Sequence, residues 1–235
     1  MKKEAGSFYL KKIGIRGKFK IWIVDGNYIR TNIDEEFTNY GQFYQFKFIP
    51  KNEFWIDKAY GRDDESEFYI DVMLNLNRFL SQGLSHEEAV RRVDLIEKKE
   101  RRKSEFFKKN IGKINKKEEK VEIVRKKLIK KYSKKIKVWI VDGELVRDLF
   151  FCDFTEGGHD KVYHFIPKGE IWIDDDVSPF ERKFVFLHEL HERTLMGKGV
   201  EYDLAHKDSS NLEYFTRHNP KKFKKIILNE IKIMQ

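Results

Sequence analysis

The stretch FVFLHELHERTLMGKGVEYDLAH, residues 184–206, holds the residue types with the most chemistry in this chain. His188 and Glu192 are four positions apart, so on a helix advancing 100° per residue they share one face, one turn apart. His206 falls on the next helical segment and meets them across an antiparallel hairpin. Two imidazoles and one carboxylate form a donor set for a divalent metal, zinc before others, with a fourth position left for water. Glu189, next along the chain from the first imidazole, is then placed to act as general base on that water. His159, in FTEGGHD, is an optional fourth ligand, because its paired glycines permit a tight backbone and a close approach. The metal-free alternative is a buried hydrogen-bonded network in which one protonated imidazole neutralises the carboxylate.

The elements that must position these residues occur twice. KIWIVDGNYIR (20–30) returns as KVWIVDGELVR (137–147), and FIPKNEFWID (48–57) as FIPKGEIWID (165–174). Trp22 and Trp55 are each 117 positions before Trp139 and Trp172; after one extra residue in the first copy the offset becomes 116. The duplication makes one copy a control for the other. His188, Glu192 and His206 fall on Val72, Leu76 and Val90, and His159 falls on Gln42. The aliphatic Val72, Leu76 and Val90 in the first copy mark the positions of His188, Glu192 and His206 as inward-facing. An acid carried inward is expensive unless a partner satisfies it.

Each copy reads as a small antiparallel sheet followed by a helical hairpin, an α+β arrangement. IWIV and VWIV, each followed by Asp-Gly, predict a β-hairpin with a second short strand. The runs ending at Pro50 and Pro167 predict a third strand, and EFWID and EIWID a fourth. Ser178, Pro179 and Glu181 predict a helix start with a capping box. Gly197 and Gly199 predict its end. A second helix is expected from about Tyr202 to Arg217, broken at His218-Asn219-Pro220. His191 reads as a core-edge histidine, and Asp174, Asp175 and Asp176 as a strand-end turn. The expected organisation is a first repeat over 1–100, a basic helical linker over 101–135 and a second repeat over 136–235.

The helix with His188-Glu189 resembles that of the zincin metallopeptidases, which carry His-Glu-x-x-His and a third ligand further along. By that resemblance His188 is the first ligand, Glu189 the base and His206 a downstream ligand, while Glu192 stands where zincins have the second histidine. The broader pattern resembles prokaryotic and phage-type proteins, a likeness that implies no activity.

Composition bounds the alternatives. The single cysteine, Cys152, excludes an internal disulfide and any Cys-only zinc cluster. No run approaches membrane-spanning length and the N-terminus lacks a secretory apolar core, so a soluble cytoplasmic protein without membrane partners is expected. Between Glu97 and Lys137, 19 Lys and Arg stand against 6 Glu; as the whole chain nets +9, the remainder is net acidic. This basic segment is either a solvated linker or, through 101–135, an arm for nucleic acid or an acidic partner. Two functions follow as expectations: a metal-dependent, peptidase-like hydrolase with its site in the second repeat, or a non-enzymatic binding protein using the basic segment. There is no Gly-rich phosphate loop, dinucleotide fingerprint or serine or cysteine nucleophile context.

Overall fold

The structure is a computed structural model that describes residues 8–61, 63–111, 114, 116–129 and 136–233. The chain divides into two compact units, 1–113 and 114–235. Each is α+β, with one four-stranded sheet and a helical hairpin, and the two repeat one architecture.

In the first unit the strands are β1 (Tyr9–Arg16), β2 (Phe19–Val24), β3 (Tyr40–Gln42) and β4 (Glu53–Asp57), in the spatial order β1-β2-β4-β3. In the second they are β5 (Arg125–Leu128), β6 (Lys137–Val141), β7 (Gly157–His159) and β8 (Glu170–Asp174), in the order β5-β6-β8-β7. The central pair of each sheet is parallel, with Trp22 opposite Trp55 and Trp139 opposite Trp172, and the outer pairs are antiparallel. The sheets are therefore mixed where the sequence predicts antiparallel pairing.

The cause lies in the Asp-Gly pairs. Asp25 and Asp142 cap short helices, α1 (Gly26–Asn32) and α6 (Gly143–Leu149), accepting from the backbone N–H groups of Tyr28 and Leu145. A helix after the strand turns the chain into a crossover, which makes the next long strand parallel. Arg30 and Arg147, on these helices, reach Asp57 at 2.9 Å and Asp174 at 2.5 Å, at the ends of β4 and β8. Gly26 and Gly143 are required there, since a Cβ would stand 1.9 Å from the Asp57 and 2.1 Å from the Asp174 carboxylate. The runs before Pro50 and Pro167 form turns, not strands.

The hairpins are α2 (Asp63–Ser81) with α3 (His86–Arg101), and α7 (Arg182–Gly197) with α8 (Tyr202–His218). Ser178 Oγ accepts from Glu181 N–H at 3.4 Å, but α7 begins three residues later than the predicted start, at Arg182, with Glu181 at its N-cap and no side-chain cap bond, and the Glu181 side chain turns inward to Arg217. Gly199, at φ +89, allows the tight reversal between α7 and α8. Pro220 opens a further helix, α9 (Pro220–Ile233), which packs on α7 and which the sequence reading lacks.

The span read as a linker is divided among elements. It holds α4 (Glu105–Asn110), α5 (Lys117–Val124) and β5, whose Arg125 pairs with Glu170 and whose Lys126 pairs with Asp142 and Asp175. Residues 125–128 are thus the edge strand of the second sheet, hidden from pattern reading by the lysines on its exposed positions. Residues 112, 113, 115 and 130–135 of the same span lie outside the described residues.

Candidate metal centre

Three elements of the second unit bring the cluster together: His159 ends β7, His188, Glu189 and Glu192 lie on α7, and His206 lies in the second turn of α8. The α7 helix buries Phe184, Val185, Leu187 and Leu190, and β7 approaches it closely. A Cβ on Gly157 would stand 2.8 Å from Val185 Cγ1 and 3.3 Å from Glu189 Cγ. The glycine is there for proximity. Beyond β7, Asp160 takes an ion pair from Arg193 at 2.5 Å and the backbone N–H of Gly169 at 2.8 Å. These two residues adjoin His159 and Glu192, so the pair clamps the strand end to the helix.

Glu192 is the hub and is 3% exposed. One carboxylate oxygen, Oε1, meets His159 Nε2 at 2.9 Å. The other, Oε2, meets His206 Nδ1 at 2.7 Å and lies 3.6 Å from His188 Nε2. The two imidazole nitrogens, His188 Nε2 and His206 Nδ1, face each other at 3.2 Å. Ligands bound tetrahedrally at about 2.0–2.1 Å stand about 3.3 Å apart. The separations of these three atoms straddle that value. The five residues singled out from the sequence form two overlapping groups of donor atoms, His188, Glu192, His206 and His159, Glu189, Glu192, each within 4.8 Å.

Three surrounding groups were not assigned to the cluster from the sequence, where Glu181 was read only as a capping residue. Glu213, on α8, takes His188 Nδ1–H on Oε2 at 3.1 Å and Arg217 on Oε1 at 2.9 Å. Arg217 also binds Glu181 at 2.7 Å and stacks over Phe184. The same arrangement stands in the first unit, where Arg101 pairs with Glu97 at 2.7 Å and Glu65 at 3.1 Å and stacks over Phe68. All four pairs of residues are 116 positions apart, and that identity was the available signal. The Glu-Glu-Arg frame is common to both units, while the cluster's histidines, His159, His188 and His206, belong to the second. In the first unit Val72 and Leu76 are buried among Ala89 and Val93, with Val90 packed against them. Gln42 there donates to the Met73 carbonyl at 3.0 Å and accepts from Asn77 at 3.3 Å. The fold closes over hydrocarbon at those positions, so it does not itself demand the polar cluster.

The electrostatics follow from this geometry. Burial works against the Glu192 carboxylate, but hydrogen bonds from His159, His188 and His206 outweigh it and hold the group far below the usual carboxylate range. Burial likewise opposes charge on His188, and its bonds to Glu192 and Glu213 reverse that, leaving its pKa raised. Glu213 is brought down to about 2 by His188 and Arg217 despite its burial. Glu189 behaves oppositely: burial pushes it up to about 7, with Glu192 adding repulsion. Tyr163, packed under Gly158, has its hydroxyl pushed upward by burial and by Glu189. Access is graded, since the His159 side chain is 0% exposed and that of His206 35%, with Tyr202 stacked on the His206 ring.

The remaining candidates have other partners. His191 binds Glu230 of α9 at 2.8 Å and Asp208 of α8 at 3.3 Å, so it ties three helices together rather than edging the core. Asp174 and Asp175 are held by Arg147 and Lys126, and Asp176 N–H donates back to Asp174. His164 is exposed in a turn.

Comparison with known proteins finds no matching family model, no matching curated protein and no matching solved structure.

Proposed function

We propose that the second unit binds one divalent metal ion, zinc by its donor set, through His188, Glu192 and His206, and uses it to activate water in a hydrolytic reaction of the peptidase type. One observation carries the reading: His188 Nε2, His206 Nδ1 and Glu192 Oε2 converge at 2.7–3.6 Å in a pocket that the sister unit fills with aliphatic side chains. The outer groups support it. Glu213 receives the far nitrogen of His188, as carboxylates do behind metal-bound imidazoles, orienting the ring and raising its basicity. Two imidazoles and one carboxylate leave a fourth position for water, whose pKa the metal lowers toward 7. His206 is the ligand open to solvent, which gives a substrate its route of approach.

Glu189 is the general base. Its carboxylate reaches within 4.8 Å of Glu192 and His159, so it borders the cluster without standing at its centre. The peptidase class rests on the zincin-like helix, and the choice of zinc on the nitrogen-rich donor set.

Elemental analysis of purified protein tests the site. About one equivalent of zinc is expected, lost in both His188→Ala and His206→Ala; full retention in both variants overturns the assignment. A hydrolysis screen over unspecific peptides should then show activity that disappears on chelation and returns with zinc.

A further inference from the structure

His159 is wholly buried, and its two ring nitrogens have different partners. Nδ1 receives the backbone N–H of Lys161 at 3.2 Å, while Nε2 faces Glu192 Oε1 at 2.9 Å. A nitrogen that accepts from an amide must present its lone pair, so the ring proton sits on Nε2 and points at the carboxylate.

We infer that His159 is a positioning residue and not a metal ligand: it donates Nε2–H to Glu192 Oε1, which leaves Oε2 as the single carboxylate oxygen that meets the metal. The inference rests on the metal-site reading above and fixes its coordination: three protein ligands, one carboxylate oxygen and one open position. Ligation through Nε2 would require the proton to move to Nδ1, where it would oppose the Lys161 N–H in a buried place. The chain cannot easily turn aside, because the Asp160–Arg193 ion pair and the Asp160 bond to Gly169 hold the residues next to His159 and Glu192.

The sister unit supplies a natural comparison. Gln42 occupies the matching strand position and directs its amide N–H at the neighbouring helix, onto the Met73 carbonyl. An amide is accepted by this backbone and keeps a donor, but its oxygen is a much weaker ligand for zinc than an imidazole nitrogen.

The test compares His159→Gln and His159→Leu with the parent chain, each checked for folding by circular dichroism. Zinc affinity is measured by competition with a chelating dye, and coordination by the absorption of the cobalt(II) form. The expected result is that His159→Gln binds one equivalent with nearly parental affinity and an unchanged cobalt spectrum, while His159→Leu weakens binding about 10–100-fold, the usual loss on removing a second partner of a ligand. A His159→Gln variant that loses affinity as severely as His188→Ala, with an altered cobalt spectrum, makes His159 a ligand and overturns the inference. Parental affinity in both variants also overturns it, since nothing is then being positioned. Failure of the parent chain itself to bind zinc is a different result, and removes the metal-site reading on which this one stands.

Discussion

Glu213 divides its two oxygens between His188 and Arg217, whereas its counterpart Glu97 pairs with Arg101 in a unit that has Val72 where the imidazole would be. This makes a matched pair of variants. Glu213→Gln and Glu97→Gln should each cost on the order of 3–5 kcal/mol in denaturant unfolding, as expected when one member of a buried ion pair is neutralised. Only Glu213→Gln should lower zinc affinity, by about 10–100-fold; equal effects on zinc from both would refute the buttress role. Glu189→Gln separates chemistry from binding, keeping one equivalent of zinc while hydrolysis falls by about 10²–10⁴-fold. His188, Glu192 and His206 were legible in the sequence because the first copy places aliphatics opposite them. The part of Glu213, Arg217 and Glu181 was not, since their identity in both copies marks a frame the two units share and not a connection to His188, which needs α7 and α8 to be packed together.

At the scale of elements, the site depends on how closely β7 lies against α7. Gly157→Ala would put a methyl carbon 2.8 Å from Val185 Cγ1 and 3.0 Å from the Trp172 carbonyl, forcing strand and helix apart. We expect a loss of about 1–3 kcal/mol, the range for overpacked interiors, accompanied by weaker zinc binding as His159 withdraws from Glu192. Unchanged melting together with unchanged affinity would show that the close approach is not needed. The helical hairpin was readable from Gly199 and the break at Asn219-Pro220, because such punctuation acts locally, whereas the start read at Ser178 falls short of the N-cap at Glu181. The strand pairing was not: Asp25-Gly26 and Asp142-Gly143 suit a hairpin turn as well as a helix start, and the choice is made by Arg30 and Arg147, which are held by Asp57 and Asp174 much further along the chain. The edge strand β5 was missed for a related reason, since its Arg-Lys-Lys run resembles the charged segment before it until Glu170, Asp142 and Asp175 are seen to receive it.

Over the whole molecule, the duplication predicts an asymmetric response to metal. A ligand that binds only the folded state stabilises it by about 2.7 kcal/mol at a hundredfold excess over Kd, and that gain should fall on one unit. Zinc should raise hydrogen-exchange protection across α7, α8 and β7 and leave α2 and α3 as they were; equal protection in both units would contradict a site confined to the second. The basic segment is a separate matter of charge. Arg101, Arg125 and Lys126 are engaged by carboxylates of their own units, and among the described residues no helix is long and apolar enough to cross a membrane. Any contact of 101–135 with nucleic acid would show as affinity falling linearly with salt on logarithmic axes, and metal content should not change with it. The central claim meets its most direct test in anomalous diffraction at the zinc edge from zinc-soaked crystals. One peak is predicted, at about 2.0–2.2 Å from His188 Nε2, His206 Nδ1 and Glu192 Oε2; a soaked crystal with no peak among those three atoms would contradict it.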